Sequence, residues 1–336
     1  MNSVTFITHH CPRACAYCSI RHPKGVGSEL SVAQWIEAFA ILKKMGVTFN
    51  LIFGGEPWIL GEKLLRIMQH NEVPYGLHTV CFEPLFRLFG RRWDRYFYTI
   101  DNLLCEIDYS LSYLQGKDGK RLDHSERKAL DAWKALSWIR KHYPATNIYA
   151  TIIMHRRNLD HIPETSWMLS DLGIPHDISF LNWDMDGRYD RLPNAATMSD
   201  WMIPQDADNQ CHVRKILDMI IEKPRMLQNS DMLRLPTTTL LGMGWHCRGD
   251  PYGGPTIDSD GTLRLCSLRR GARTPQFSIF DLPCAWDEWQ EAVAADAAEC
   301  PGCSWSHPWT YHYWKNSMNN MAYIFEADFE KPGEVM

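Results

Sequence analysis

No apolar run in this sequence approaches the roughly 20 residues that a membrane-spanning helix needs, so no transmembrane segment is expected. The first ten residues lack both a basic region and an apolar stretch, which excludes a secretory signal there. Neither charge is in large excess. With 35 Lys and Arg against 40 Asp and Glu, the net charge is −5, which argues against a general binder of polyanions. Internal repeats and low-complexity segments are also lacking, so a solenoid or a disordered tail is not indicated. What is present is a chain of 336 residues, 45% hydrophobic, enough for one large domain and a smaller one. The 11 cysteines do not read as a secreted disulfide scaffold in a chain this long. Their spacing indicates metal ligation in a reducing cytoplasm. The 14 Trp are read as core.

Three cysteines follow the run Val4–Thr8 as Cys11-Pro-Arg-Ala-Cys15-Ala-Tyr17-Cys18. The spacing C-x3-C-x2-C can put three thiolates on one side of a tight loop. A cubane [4Fe–4S] cluster is normally held by four thiolates, so three leave one iron open to another ligand. Spacing alone also allows a zinc knuckle, with His9 or His10 as the fourth ligand. Further on, residues 49–53 read as a buried strand that runs into Gly54-Gly55-Glu56-Pro57. Glycine permits close backbone approach to a ligand, and Glu supplies an anionic acceptor for an ammonium group.

Strands and helices alternate along the first half. Ser31-Val-Ala-Gln34 is a capping box opening a helix with Val32, Trp35, Ile36, Phe39 and Leu42 apolar, ending at Gly46. A strand over 47–53, a helix over 62–70 and strands over 76–80 and 103–110 follow. Asp123-His-Ser-Glu126 starts another helix, stopped near Pro144. A strand over 148–154, a helix ending at Gly173 and a strand over 177–181 complete six units, the run Val4–Thr8 being the first strand. This alternation predicts a parallel sheet with helices outside, without separating a barrel from a doubly wound sheet. Residues 184–208 break the rhythm and read as a linker or lid, followed by an amphipathic helix over 209–222.

The segment C-x3-C-x-aromatic-C, with Tyr17 as the aromatic, followed by Gly54-Gly55-Glu56-Pro57, resembles the signature of the radical SAM superfamily. The resemblance implies an α/β fold: a partial (β/α)6 radical SAM barrel over residues 1–183. It implies a [4Fe–4S] cluster on Cys11, Cys15 and Cys18, with S-adenosylmethionine on the open iron. Tyr17, Gly54, Gly55, Glu56 and Pro57 would contact the cofactor, the Glu through the methionine amino group. Asp108 and Ser110, at the end of the fourth strand, would reach the ribose, and Asn182 follows the sixth strand toward the cofactor. Reductive cleavage would yield a 5′-deoxyadenosyl radical that abstracts hydrogen from a substrate carbon, with an electron donor such as flavodoxin or ferredoxin as partner.

A second cysteine set reads Cys247-x13-Gly261-x4-Cys266, then Cys300-Pro-Gly-Cys303. Residues 255–265 read as a hairpin turning at Ser259-Asp260-Gly261, with Gly261 left-handed. A helix through Trp286, Trp289 and Val293 follows. The pattern resembles the twitch domain, a shortened SPASM domain. This implies a small C-terminal domain over 241–305, after a linker and helix over 184–240 and before an aromatic-rich tail over 306–336. Cys247, Cys266, Cys300 and Cys303 would hold a second, auxiliary [4Fe–4S] cluster; a four-cysteine zinc site is the alternative. Cys81, Cys105, Cys211 and Cys284 are expected to be buried, inert thiols. Cys105 has a second reading, as hydrogen donor to a product radical.

Only ten residues precede Cys11, so no fused leader-binding domain is expected. This favours a small molecule, an amino-acid-derived group or a nucleobase over a peptide as substrate, with oxidation or radical rearrangement as the outcome. Arg87, Arg91, Arg92 and Arg95 interleave with Phe89, Trp93, Tyr96 and Phe97, which keeps a nucleotide-type substrate, or a modified base in nucleic acid, under consideration. Snorkelling arginines on a surface helix are the plainer reading. Arg264, Arg269, Arg270 and Arg273 form a second such group. Peptide maturation and, from a different class, a zinc-stabilised binding module without chemistry are the alternatives.

Overall fold

A computed structural model describes residues 1–11, 29–79, 102–107, 147–156, 158–181, 202–223, 226–241, 254–265 and 277–299. Six strands form a parallel run: β1 (Asn2–Thr8), β2 (Phe49–Gly54), β3 (Tyr75–Thr79), β4 (Asn102–Ile107), β5 (Asn147–Met154) and β6 (His176–Phe180). They lie side by side in chain order, β6-β5-β4-β3-β2-β1. A doubly wound sheet reverses its order at a switch point. This sheet has no reversal among these strands, as a singly wound barrel requires.

Helix α1 (Val32–Lys44) starts where the sequence places it. Gln34 N–H donates to Ser31 Oγ at 3.3 Å, and Ser31 N–H donates back to Gln34 Oε1 at 2.9 Å. Trp35, Ala38, Phe39 and Leu42 form its buried stripe. Helix α2 (Glu62–Met68) and α3 (Ile162–Asp171) follow β2 and β5. Strand alternation sorts the sheet residues into two faces. Ile52, Leu77, Ala150, Ile152, Ile178 and Phe180 share one core with Trp35, Phe39 and Leu169 of the covering helices. The other face carries Phe6, Leu51, Thr151 and Asp177, also buried.

The described part of residues 184–240 is tied to the barrel. Helix α4 (Ala207–Ile221) starts earlier than the pattern indicates, because Asp206 is its cap and accepts from Asn209 N–H at 2.9 Å. It packs against α3, with α5 (Ser230–Leu233) and α6 (Thr237–Leu241) beside it. The outer edge of β6 is sealed by residues 226–229. His176 N–H donates to Met226 O at 3.0 Å, and Asn229 bonds both backbone groups of Ile178. A bare edge strand is a pairing hazard, and this segment removes it.

The hairpin of the C-terminal region extends the barrel sheet itself. Strand β7 (Thr256–Ile257) pairs in parallel with β1, Val4 with Thr256 and Thr5 with Ile257. Strands β8 (Thr262–Arg264) and β9 (Phe277–Ser278) add antiparallel, giving a nine-stranded sheet. Gly261 takes φ 86° at the end of the turn, as expected. Helix α7 (Trp286–Ala298) buries Trp289 and Val293. Two of the spare cysteines depart from expectation: Cys211 and Cys284 are exposed. Cys211 lies off the stripe of α4 formed by Val213, Ile216, Leu217 and Ile220, so it faces solvent. Among the described residues, no helix is long and apolar enough to cross a membrane.

Candidate active site

The C-terminal ends of β1, β2 and β3 converge, and ligands of parallel α/β sheets bind beyond such ends. Strand β1 carries a register irregularity between Phe6 and Thr8 and continues as His9, His10 and Cys11. This extension stays paired with the Gly-Gly-Glu segment. Gly55 N–H donates to Thr8 O at 2.7 Å, and Glu56 N–H donates to His10 O at 2.8 Å. A Cβ at Gly54 would stand 2.1 Å from Thr8 O, and one at Gly55 would stand 2.1 Å from His10 O. Both glycines therefore admit the backbone that leads into Cys11. The two sequence motifs are thus parts of one backbone unit, which the sequence alone did not indicate.

Glu56 is completely buried. Its Oε1 accepts from Trp58 N–H at 3.2 Å and from Thr79 Oγ1 at 2.7 Å, capping a 3-10 turn over Pro57–Leu60. An ionised carboxylate only accepts hydrogen bonds, which is the chemistry that a ligand ammonium calls for.

Glu29, where the described residues resume after Cys11, is tied back to the end of β1. Thr8 Oγ1 donates to Glu29 Oε1 at 2.6 Å, His9 N–H donates to the same oxygen at 3.2 Å, and His10 N–H donates to Thr8 Oγ1 at 3.1 Å. Leu30 N–H continues the attachment to Ser259 O of the hairpin turn at 2.8 Å. Thr8, Glu29 and Asp258 are site residues that sequence reading missed, and His9, read there only as a possible zinc ligand, is bonded to Glu29 and Asp258. Positions 8–9, 29 and 258 are far apart in sequence and share no motif; the pairing of β7 with β1 is what brings Asp258 to the end of β1. Arg264, read as part of a basic group, instead grips Asp258 from a buried position.

Cys11 is partly exposed and not in a disulfide. Cys105 pairs in register with Thr79 and Ala150. Tyr17, Cys15, Cys18, Asp108, Ser110, Asn182, Cys247, Cys266, Cys300 and Cys303 lie outside the described residues, as do Cys81, the Arg87–Phe97 stretch, the helix expected from Asp123 and the aromatic tail.

On β6, two neighbouring side chains are perturbed in opposite senses. His176, between Ser166 Oγ at 2.7 Å and Ile174 O at 3.0 Å, is lowered to about 4, by burial first, with the Ile174 carbonyl opposing. Asp177 is raised to about 7, by burial first, with the Thr151 hydroxyl opposing. Between about 4 and 6.5 the folded chain carries less proton on His176 than the unfolded chain does, so that contribution is lost as pH falls. Between 3.8 and about 7 it carries more on Asp177, so that contribution is lost as pH rises. The two oppose each other where the windows overlap. Asp177→Asn should therefore steepen the acid loss of stability below the ordinary histidine pKa. It should also stabilise the protein above the raised Asp177 value, by on the order of a few kcal/mol. Urea unfolding across pH checks this; parallel curves for variant and wild type would mean that Asp177 ionises normally.

The family model described as the radical SAM superfamily matches residues 5–166. A PqqA peptide cyclase of Bradyrhizobium diazoefficiens is 25% identical over 227 residues, covering 64% of this chain and 56% of that protein. A second PqqA peptide cyclase, from Rhodopseudomonas palustris, is 26% identical over 208 residues, 58% of this chain and 51% of its own. The chain thus spans about half the length of these curated relatives. Among solved structures, anSMEcpe with bound AdoMet and Kp18Cys peptide superposes with TM-score 0.60 at 13% identity, over 97% of this chain and 99% of that one. SuiB of Streptococcus suis bound to precursor peptide SuiA gives TM-score 0.58 at 13% identity, over 90% of this chain and 69% of that one. At such identity the two structures speak to the fold alone.

Proposed function

From the premise that this chain is a radical SAM superfamily enzyme, with its radical SAM domain over residues 5–166, we propose that it oxidises a peptide. The reading rests on one observation. The alignment to a PqqA peptide cyclase runs over 227 residues, further than the family model reaches. The two fold neighbours named above are peptide-bound in their solved structures, which agrees with it. A peptide replaces the small molecule or nucleobase that the sequence favoured.

The residues present fit the cofactors of a radical SAM domain. A thiol follows His10, whose carbonyl accepts from Glu56 N–H; the Glu56 carboxylate is buried, and a glycine pair admits the backbone that leads to the thiol. Cys11, with Cys15 and Cys18, would hold the cluster, and Glu56 would take the ammonium of S-adenosylmethionine. When bound, these groups supply a 5′-deoxyadenosyl radical able to take hydrogen from an unactivated carbon. The chain's own part is positional: Gly54 and Gly55 set Cys11 against Glu56, and Thr79 and Trp58 fix the carboxylate. Cys247, Cys266, Cys300 and Cys303 would hold the auxiliary cluster of a twitch domain, which would supply an acceptor for the second electron of the oxidation. A flavodoxin or ferredoxin would supply the first electron.

The test is anaerobic turnover with S-adenosylmethionine, a reductant and parallel panels of peptides, free amino acids and nucleosides. Release of 5′-deoxyadenosine should rise only with a peptide, which loses two hydrogens by mass spectrometry. Stimulation by a nucleoside alone would overturn the reading.

A further inference from the structure

One buried polar cluster is not used by the glycine motif or by Glu56. It lies where the hairpin turn meets the end of β1. Asp258 Oδ1 accepts from His9 Nε2 and from Ser259 N–H at 2.8 Å. Asp258 Oδ2 accepts from Arg264 Nε at 2.6 Å and also from Arg264 Nη2. His9 is fully buried, with its ring stacked on Phe6 at 6.1 Å between centroids. Arg264 lies over the Phe6 ring, its Cζ 4.4 Å from the ring centroid. Burial would raise the Asp258 carboxyl. The His9 hydrogen bond and the Arg264 charge outweigh it and hold the group well below the ordinary range.

Adhesion alone does not require this cluster. Ile257 and Leu263, on the opposite face of the hairpin, already join the main core. Buried ionic groups recover little net stability once desolvation is counted, and an apolar set of similar volume often does as well. What the cluster supplies is orientation. His9 stands two residues before Cys11, and its N–H is bound to Glu29. The backbone leading to Cys11 is therefore gripped from two sides. Gly55 and Glu56 hold it from β2, and Asp258 holds it from the hairpin.

We propose that Asp258, clamped by Arg264, is a positioning residue for the N-terminal cluster. Through His9 it fixes the backbone that presents Cys11, so the C-terminal hairpin sets the surroundings of the cysteine loop. The proposal rests on the reading of Cys11 as a cluster ligand. Reduction potentials of such clusters respond to nearby charge and hydrogen bonding. Neutralising a part-buried carboxylate would make reduction of an anionic cluster held on Cys11 easier.

The experiment compares reconstituted wild type with Asp258→Asn, Asp258→Glu and Leu263→Ala, the last weakening the hairpin only on its apolar face. The readouts are thermal unfolding, redox titration and the electron paramagnetic resonance signal of the reduced N-terminal cluster with S-adenosylmethionine. Asp258→Asn should move the midpoint potential to more positive values and alter the signal. Asp258→Glu should return both toward wild type. Leu263→Ala should lower the unfolding temperature with potential and signal unchanged. If Asp258→Asn lowers only the unfolding temperature, as Leu263→Ala does, the positioning role is wrong. A wild type that takes up no iron would instead overturn the cluster reading itself.

Discussion

Gly55→Ala should lower cleavage of S-adenosylmethionine by about 100-fold or more while leaving most of the barrel folded. The added Cβ would stand 2.1 Å from His10 O and 2.5 Å from His10 C. Both are backbone atoms, so no rotamer change relieves the contact. The strand end must part from β2, breaking the 2.7 Å bond from Gly55 N–H to Thr8 O and the 2.8 Å bond from Glu56 N–H to His10 O. Overpacking of this kind costs about 1–3 kcal/mol or somewhat more. The loss of activity should be larger. A displacement of about 1 Å between reacting groups costs on the order of 100-fold in rate, and here the start of the cysteine loop shifts against Glu56. Gly173→Ala, at the end of α3 with nothing within 4 Å of the new Cβ, is the control. It should cost stability at its left-handed φ of 65° and leave cleavage intact. Measured 5′-deoxyadenosine release decides the matter, and a Gly55→Ala enzyme with wild-type release would show that the pairing of the two motifs is incidental.

Glu56 is the second position with a large expected effect, and two substitutions separate its two roles. Glu56→Gln keeps an oxygen to accept from Trp58 N–H and Thr79 Oγ1, so the 3-10 turn and the fold should persist. It removes the negative charge. Hydrogen bonds to a charged group are worth about 1.5–3 kcal/mol, so affinity for S-adenosylmethionine should fall by roughly 10- to 150-fold. Glu56→Ala removes the acceptor as well, leaving two donors without it in a fully buried place. That should add a stability loss of about 1–3 kcal/mol for each group left unsatisfied. Calorimetric titration of S-adenosylmethionine into reconstituted protein reads the first effect, and urea unfolding reads the second. If Glu56→Gln binds as wild type does, the carboxylate serves only to cap the turn.

Local signals in the sequence carried much of this structure. Ser31 and Gln34 form the capping box that their spacing indicates, and Gly261 takes the left-handed turn position. The six parallel strands lie within a residue or a few of where apolar runs place them, because each run is bounded by turn residues or a helix cap. The contacts that assemble the site are non-local, and spacing could not show them. Thr5 pairs with Ile257, and His9 meets Asp258, across most of the chain. No motif joins those positions. Glu56 is not a residue type usually found capping helical turns, so its bond to Trp58 N–H was not foreseen. The hairpin reads as part of a twitch domain because it lies between Cys247 and Cys266, and nothing in that pattern indicates a pairing with β1. In the structure it continues the barrel sheet past β1.

Cys11, Cys15 and Cys18 carry the chemistry proposed for this chain. Iron content after anaerobic reconstitution, for wild type and for the combined Cys11→Ala, Cys15→Ala and Cys18→Ala variant, tests it most directly. Two cubane clusters predict about eight irons per chain, falling to about four in the variant. Equal iron content in the two proteins, or zinc in place of iron in both, would contradict it.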